Sequence, residues 1–277
     1  MRAGPTEIEI NIARASDAFS AQAEHFDSDE ESNLILKWMR NQVYRHEEEF
    51  LLPHSNILEL NAGTGIDAQY FARHGHTVFA LDVAPGMVRQ LQRKISTFHL
   101  EDRIRCTRCS FTDLGTLPHE QFDHVFSNFG GLNCIPDLRT VAVQLPKFLK
   151  PGATTTFVIM PRICPWEIAQ AFKGKVRLAL RRFSLNGTSA QIDGFRFLSY
   201  YYSPADVLRS FDHRFTLVRL RGLASLSPPP YFKSIPERHP SLYRALTLWD
   251  ERLGAHYPLN RWADHFIITL RYHPATS

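Results

Sequence analysis

The spacing of apolar residues changes near position 55. Before it, Phe19, Ala23 and Phe26, then Leu34, Trp38, Val43 and Tyr44, recur at steps of mostly three to five. That spacing predicts helix from Ser16 to about Phe50, ended by Pro53, with a tail ahead of it. Beyond it, short apolar runs alternate with amphipathic ones. Strands are predicted over 56–60, 76–82, 103–111, 122–129 and 151–160. Helices are predicted over 66–75, 85–98 and 137–150. Strands separated by helices of about ten or more residues imply βαβ units, right-handed crossovers and a parallel sheet.

The alternation stops after Met160. Residues 161–183 read as a loop and a helix with Phe172, Val176, Leu180 and Phe183 on one face, closed by Asn186-Gly187. Residues 191–203 read as one strand, 204–212 as a helix with Pro204 at its start, and 215–223 as a strand. A proline-rich extended linker at 227–232 leads to a helix with Leu242, Leu246, Trp249 and Leu253 on one face, and 264–272 is the last strand. The expected organisation is therefore a tail (1–15), a helical cap (16–53), a core (54–160), a first insertion (161–199), a core continuation (200–223), a second insertion (224–263), and a last strand and tail (264–277). Ligands of open α/β sheets sit beyond the carboxyl ends of the strands. Insertions leaving from those ends are placed to form a lid and to choose the substrate.

The stretch ILELNAGTG, residues 57–65, carries the most chemistry. A buried strand runs into a turn of small residues, where Gly63 and Gly65 allow backbone to approach a ligand without a Cβ in the way. The helix that follows offers free N–H groups. Asp82 ends the next strand, where a carboxylate can accept from both hydroxyls of a ribose. Together these features predict a nucleoside site. Read as Gly63-x-Gly65-x-x-Ala68, the loop fits the dinucleotide fingerprint of NAD(P) enzymes. Read as Glu59-x-Asn61-x-Gly63-x-Gly65, it fits another pattern, and the flanking residues decide between them.

With those flanks, the sequence resembles the class I S-adenosylmethionine-dependent methyltransferases. ILELNAGTGIDAQYFARHGHTVFALDVAPGMV is similar to their first two motifs, with Asn61 where the family usually has its first glycine. FDHVFSNFGGLNCI and LKPGATTTFVIM are similar to their fourth and fifth strands, and FTLVRLRGL with DHFIITLRY to their final antiparallel hairpin. The resemblance implies an α/β, Rossmann-like, doubly wound and mainly parallel seven-stranded sheet with an antiparallel last strand. It implies S-adenosyl-L-methionine as cofactor and S-adenosyl-L-homocysteine as product. Glu59 and the backbone of Asn61, Ala62, Gly63, Thr64 and Gly65 then face the methionine part. Asp82 takes the ribose, Val83 and Met87 flank the adenine, and Ser110 and Phe111 contact its edge. Asn128, Phe129 and Gly130 lie under the sulfonium, and Phe19 and Phe26 cover the cofactor. A non-catalytic cofactor-binding protein is the other reading of the same residues.

For catalysis, the candidate bases are His265, beside Asp264 at the start of the last strand, then Glu167 and His25. FSNFGG lacks the Asn/Asp-Pro-Pro-aromatic tetrad of methyltransferases that act on amide or base nitrogens. A small-molecule acceptor is expected, methylated on oxygen first and nitrogen second. Aromatic residues in the two insertions, with Trp166, Tyr200, Tyr202 and Tyr231 as the substrate-facing set, suit a flat or greasy molecule. Lys173, Lys175, Arg177, Arg181 and Arg182 form a basic run that reads as a solvated face or as a site for an anionic acceptor.

Composition adds exclusions. The 277 residues are 44% hydrophobic and 22% charged, with a net charge of +4, too mild to argue for nucleic acid. The N-terminus lacks the apolar core of a signal peptide, and no stretch is long and apolar enough to span a bilayer, so a cytoplasmic protein is expected. Cys106 and Cys109 have C-x-x-C spacing but fall in a predicted strand, where an offset of three points them to opposite faces. They read as reduced cysteines with no metal.

Overall fold

The computed structural model describes residues 6–274. Three helices come first, α1 (Glu7–Gln22), α2 (Phe26–Ser32) and α3 (Leu34–Glu47). The alternating region follows as β1 (Asn56–Glu59), α4 (Ile66–Arg73), β2 (Thr77–Asp82), α5 (Pro85–Thr97), β3 (Ile104–Arg108), β4 (Phe122–Ser127), α6 (Arg139–Ala142) and β5 (Leu149–Ile159). The first insertion holds α7 (Pro165–Ile168), α8 (Val176–Leu180), β6 (Thr188–Ile192) and β7 (Phe195–Ser199). Then come α9 (Pro204–Ser210), β8 (Phe215–Leu223), α10 (Ile235–Arg238), α11 (Pro240–Leu253) and β9 (His265–Tyr272).

Seven strands form one sheet in the order β3-β2-β1-β4-β5-β9-β8. β1 to β5 pair in parallel, while β9 runs antiparallel to both β5 and β8. Adjacent residues of one strand enter opposite cores. Leu58, Val125 and Ile268 pack with Phe122, Phe157 and Phe266 on one face. Ile57, Phe126 and Ile267 pack on the other with Ile35, Met39 and Val43 of α3, Phe71 of α4 and Leu91 of α5. A sheet buried on both faces explains the nearly continuous apolar runs. The strand order reverses direction between β1 and β4, and the two strand ends there are zipped together. Leu60 N–H donates to Phe126 O (2.9 Å), and Asn61 Nδ2 donates to Asn128 O (2.8 Å).

The sheet agrees with the sequence reading, but several elements differ. Residues 7–15, expected in a tail, are the first half of α1; residues 1–5 of that segment and 275–277 at the other end lie outside the described residues. Thr6 accepts from Glu9 N–H and Glu9 bonds back to Thr6 N–H, a capping box visible in the sequence. Asn11 is buried and ties α1 to the first insertion, donating to Cys134 O and Leu198 O and accepting from Leu198 N–H. The predicted helix over 137–150 reduces to α6 and one short 3-10 turn at Leu145–Lys147, because Pro146 cannot continue the hydrogen-bond ladder. The single strand predicted over 191–203 is the second half of a hairpin, β6–β7, whose two-residue turn is Asp193-Gly194, both with positive φ (45° and 86°).

The two insertion helices also face the opposite way from their apolar stripes. On α11, Leu242 (54%) and Trp249 (53%) are exposed, whereas Thr247 and Asp250 are buried. Asp250 fixes this orientation by accepting from Ser225, Leu226 and Ser227 N–H and from Ser227 Oγ. In the first insertion, Phe172, Val176, Leu180 and Phe183 are all exposed. Among the described residues, no helix is long and apolar enough to cross a membrane.

Candidate functional site

The crevice beyond the carboxyl ends of β1, β2 and β4 is built mostly by backbone. The chain leaves β1 through Asn61–Gly65, with Gly63 at φ +57° and Gly65 at φ +82°. The two glycines do different work. In front of Gly63 the space is open: an added Cβ would meet nothing closer than Met87 Sδ at 4.0 Å. At Gly65 the same Cβ would strike Leu91 Cδ1 at 2.2 Å, so this glycine lets α4 and α5 pack together. Of the two glycines, only Gly63 has open space in front of it.

Acidic side chains line the crevice. Asp82 Oδ2 accepts from Gly63 N–H and Oδ1 from Ala84 N–H, both at 2.8 Å. Burial pushes its carboxyl up to about 6, against the pull of the backbone N–H bonds from Ala84, Gly63 and Val83. Glu59 is 1% exposed, and neither of its carboxylate oxygens has a hydrogen-bond partner among the described residues. Burial first, then Asp67 and Asp82 nearby, raise its pKa well above the usual range, against Arg40. An orphaned buried carboxyl is costly unless a ligand or water completes it.

Asn61 fills the space against Gly131, while Asn128 Nδ2 donates to Asp67 Oδ2 (2.9 Å). Thr64 donates to Asp27 of α2, which also pairs with Lys94. Phe129 and Gly130 turn the chain after β4 with successive positive φ, 38° and 73°. A phenylalanine in that region is strained, a condition that collects at functional sites. Arg40 lies 4.8 Å over the Phe129 ring and is held by Glu30 and Asp67.

Among the remaining cofactor candidates, Phe19 and Phe26 pack together with Ala84 and Met87, roofing one end of the crevice. Gly86 makes room there for the Ser20 backbone of α1. Val83 is half-buried against the sheet core. Phe111 is buried in the same core, and Ser110 Oγ bonds Thr112 Oγ1 (2.8 Å). Ala62 is buried, with its N–H donating to Leu81 O.

The candidate bases end up apart. β9 runs antiparallel, so its first residue, His265, stands at the carboxyl ends of its parallel neighbours. Its Nδ1 meets Asp264 Oδ2 at 2.9 Å, and its ring sits edge-on to Phe129 at 5.6 Å. His265 Nε2 has no hydrogen-bond partner among the described residues. Burial opposes ionisation of Asp264, but His265 and Arg182 outweigh it and hold that carboxyl well below the usual range. Glu167 is committed elsewhere: Arg181 and Arg182 both donate to it, and they keep its pKa low despite burial. His25 is half-exposed at the start of α2 and pairs with Asp29 and with Asp193 of the hairpin turn.

Cys164, Glu167 and Asp264 bring donor atoms within 4.8 Å of one another. Arg182 bonds both carboxylates, so the positive charge a cation would supply is already present. Cys106 and Cys109 are free and half-buried.

Of the four tyrosine and tryptophan residues expected to face a substrate, Tyr231 is partly exposed and lies near Glu167, Cys164 and Asp264, which with burial raise its pKa. Trp166 donates to Leu226 O and packs on Phe232 at 5.4 Å. Tyr200 is half-buried above Gly187. Tyr202, in the loop between β7 and α9, belongs to the sheet core, its hydroxyl donating to Ile135 O. Asn133, which the sequence reading passed over, clamps both roots of the first insertion. It bonds Met160 N–H and O and Tyr200 O, and its own O accepts from Tyr200 N–H. Arg40 and Asp67 were also passed over, and Arg182, read as part of a solvated or anion-binding run, is instead buried against Glu167 and Asp264. Arg182 lay in a basic run, and nothing local separates a buried arginine from a solvated one.

Residues 57–152 match the family described as a methyltransferase domain. The match covers about a third of the chain. It contains the β1 loop, Asp82 and the β4 turn, while the candidate base His265 lies outside it. No curated protein matches the sequence.

Among solved structures, the chain is similar to a SAM-dependent methyltransferase from Methanosarcina mazei, with TM-score 0.57 and 15% identity over 82% of this chain and 96% of that one. It is similar to the 1,6-didemethyltoxoflavin-N1-methyltransferase of Burkholderia thailandensis, with TM-score 0.56 and 16% identity over 99% and 94%. It is also similar to the (4+2)-cyclase SpnF, with TM-score 0.61 and 12% identity over 98% of each chain. At these identities the likeness shows the fold, and the presence of a cyclase illustrates that fold alone leaves the reaction open. The reaction depends on the residues this chain places around the crevice.

Proposed function

We propose that the protein transfers the methyl group of S-adenosyl-L-methionine to an oxygen, or secondarily a nitrogen, of a small molecule held under the two insertions. The observation that carries this reading is the pairing of an open Gly63 with two carboxyl groups beneath it, Asp82 and the orphaned Glu59. That set suits a nucleoside with a cationic tail. It suits a dinucleotide poorly: Lys94, which donates to Thr64 of the turn, is paired with Asp27, Arg40 is spent on Glu30 and Asp67, and acceptors face the loop where a pyrophosphate would need donors. The Burkholderia neighbour was solved with bound S-adenosylhomocysteine, which supports the same cofactor here.

In this reading Asp82 takes the ribose hydroxyls, and Glu59 with the Asn61–Gly65 backbone takes the methionine end. Val83, Met87, Ser110 and Phe111 border the adenine, and Asn128–Gly130 lie beneath the reacting centre. Phe19 and Phe26 exclude water from above. Trp166, Tyr200 and Tyr231 bound the acceptor, and Tyr202 supports them from the core. The cofactor supplies an activated methyl carbon. The chain's task is alignment, which can be worth roughly 7–11 kcal/mol in favourable cases, and removal of the acceptor's proton. His265 is the group for that removal. Asp264 holds its Nδ1 and orients Nε2 toward Phe129 and the acceptor space. With the cofactor bound, His265 Nε2 would take up the acceptor's proton while Asp264 holds Nδ1.

Thermal shift tests the assignment. S-adenosylhomocysteine at about one hundred times its Kd should stabilise the protein by about 2.7 kcal/mol, and NADH should leave the melting curve unmoved. The reverse pattern refutes the proposal. Methyl release to an acceptor then separates an enzyme from a binding protein.

A further inference from the structure

The basic run of the first insertion divides in two. Arg181 and Arg182 turn inward to Glu167 and Asp264. Lys173, Lys175 and Arg177 turn outward, are exposed and have no ion-pair partner among the described residues. From residue 168 to residue 192 the sequence contains no carboxylate. Between and around these cations stand apolar side chains that the protein does not cover. Phe172 is 94% exposed and Leu185 74%, with Ile168, Val176, Leu180 and Phe183 also open.

Gly174, at φ +75°, turns the chain between Phe172 and Val176, and an added Cβ there would meet nothing within 4 Å. The apolar groups therefore crown a projecting elbow and do not line a groove. A solvated surface gains nothing from such residues.

From this arrangement we propose that the elbow is a docking surface for an anionic lipid bilayer. Phe172 and its apolar neighbours enter the interface, and Lys173, Lys175 and Arg177 lie against the headgroups. An acidic protein would match the charge but would also need a pocket shaped for a projecting phenylalanine. A bilayer accepts that side chain without a complementary shape. The same insertion carries Trp166, so the surface would place the proposed acceptor site beside the membrane, where greasy molecules collect. The inference does not depend on the reaction proposed above.

The test is flotation of the full chain with vesicles of phosphatidylcholine alone, or with about one third phosphatidylglycerol. Each cation near an anionic surface contributes about fivefold to partitioning, so three should favour the anionic vesicles on the order of a hundredfold, and raised salt should erase most of it. Lys173→Glu and Phe172→Ser should each cut binding severalfold or more. Arg89→Glu, the same charge change at an exposed site on α5, should leave it intact. Retained stabilisation by S-adenosylhomocysteine, or an unchanged melting curve, would establish that the variants fold. No partitioning to anionic vesicles overturns the proposal, even if an acidic protein is found to bind. So does an equal loss with Arg89→Glu, or wild-type binding by Lys173→Glu.

Discussion

Replacing Asp82 by asparagine should make the fold more stable and the proposed cofactor site worse. In the folded chain, burial lifts the Asp82 carboxyl from its ordinary value near 4 to about 6. At pH 7 the group is ionised in both folded and unfolded chains, and the interval corresponds to about 3 kcal/mol of stability lost to keeping the charge buried. Asparagine has no charge to desolvate, and its Oδ1 still accepts from one of the two N–H groups, Gly63 or Ala84. The other N–H loses its partner, at a cost of about 1 kcal/mol.

The expected net gain is roughly 1–2 kcal/mol, a rise in Tm of a few degrees for a chain of this size. The sign of the pH dependence follows from the raised folded pKa. Wild type should gain stability as pH falls through about 6, where its folded form takes up a proton and the unfolded chain does not, so the advantage of Asp82→Asn should shrink by pH 5. Binding of S-adenosylhomocysteine should weaken by roughly 1.5–3 kcal/mol, as for a lost charged hydrogen bond. Wild-type affinity should itself fall as pH drops below about 6. Urea unfolding at pH 7 and pH 5, with calorimetric titration, reads all three effects. A variant less stable than wild type at both pH values would refute the burial argument, and unchanged affinity would refute the ribose role.

His265→Gln should lower methyl transfer by about 10²–10⁴-fold while leaving S-adenosylhomocysteine affinity within about twofold; an equal loss of both would make His265 a structural residue. Arg182→Met removes the shared partner of Glu167 and Asp264 and should cost about 3–5 kcal/mol in urea unfolding. A loss below about 1 kcal/mol would mean that water replaces the guanidinium. Gly65→Ala should cost about 2 kcal/mol or more, from positive φ and the Leu91 overlap, and adding Leu91→Ala should cost less in that background than in wild type. A fully additive double mutant would show that the overlap is relieved elsewhere.

The parallel half of the fold could be read from the chain because β1, β2, β4 and β5 are largely buried on both faces and the strands are separated by helices or turns, so local apolar runs mark them. The residues of the proposed nucleoside crevice were equally legible: Gly63, Asp82 and the turn after β4 lie in short contiguous motifs. Two local signals were present but unread, the Thr6–Glu9 capping box of α1 and the Asp193-Gly194 hairpin turn.

Other features depend on partners far away in sequence. The stripe Leu242, Leu246, Trp249, Leu253 predicted an inward face for α11, yet Asp250 turns the helix over by binding three backbone N–H groups at 225–227. Arg181 and Arg182 look like Lys173 and Lys175 in the sequence, and only Glu167 and Asp264 across the fold divide the run into a buried brace and an exposed surface. His265 became the candidate base, and Glu167 did not, for the same reason. Strand and loop identity follow from local burial and backbone preference, which a linear pattern records. The facing of a helix, the ionisation of a carboxyl and the partner of an arginine follow from long-range electrostatics and desolvation, which exist only once the chain has closed on itself.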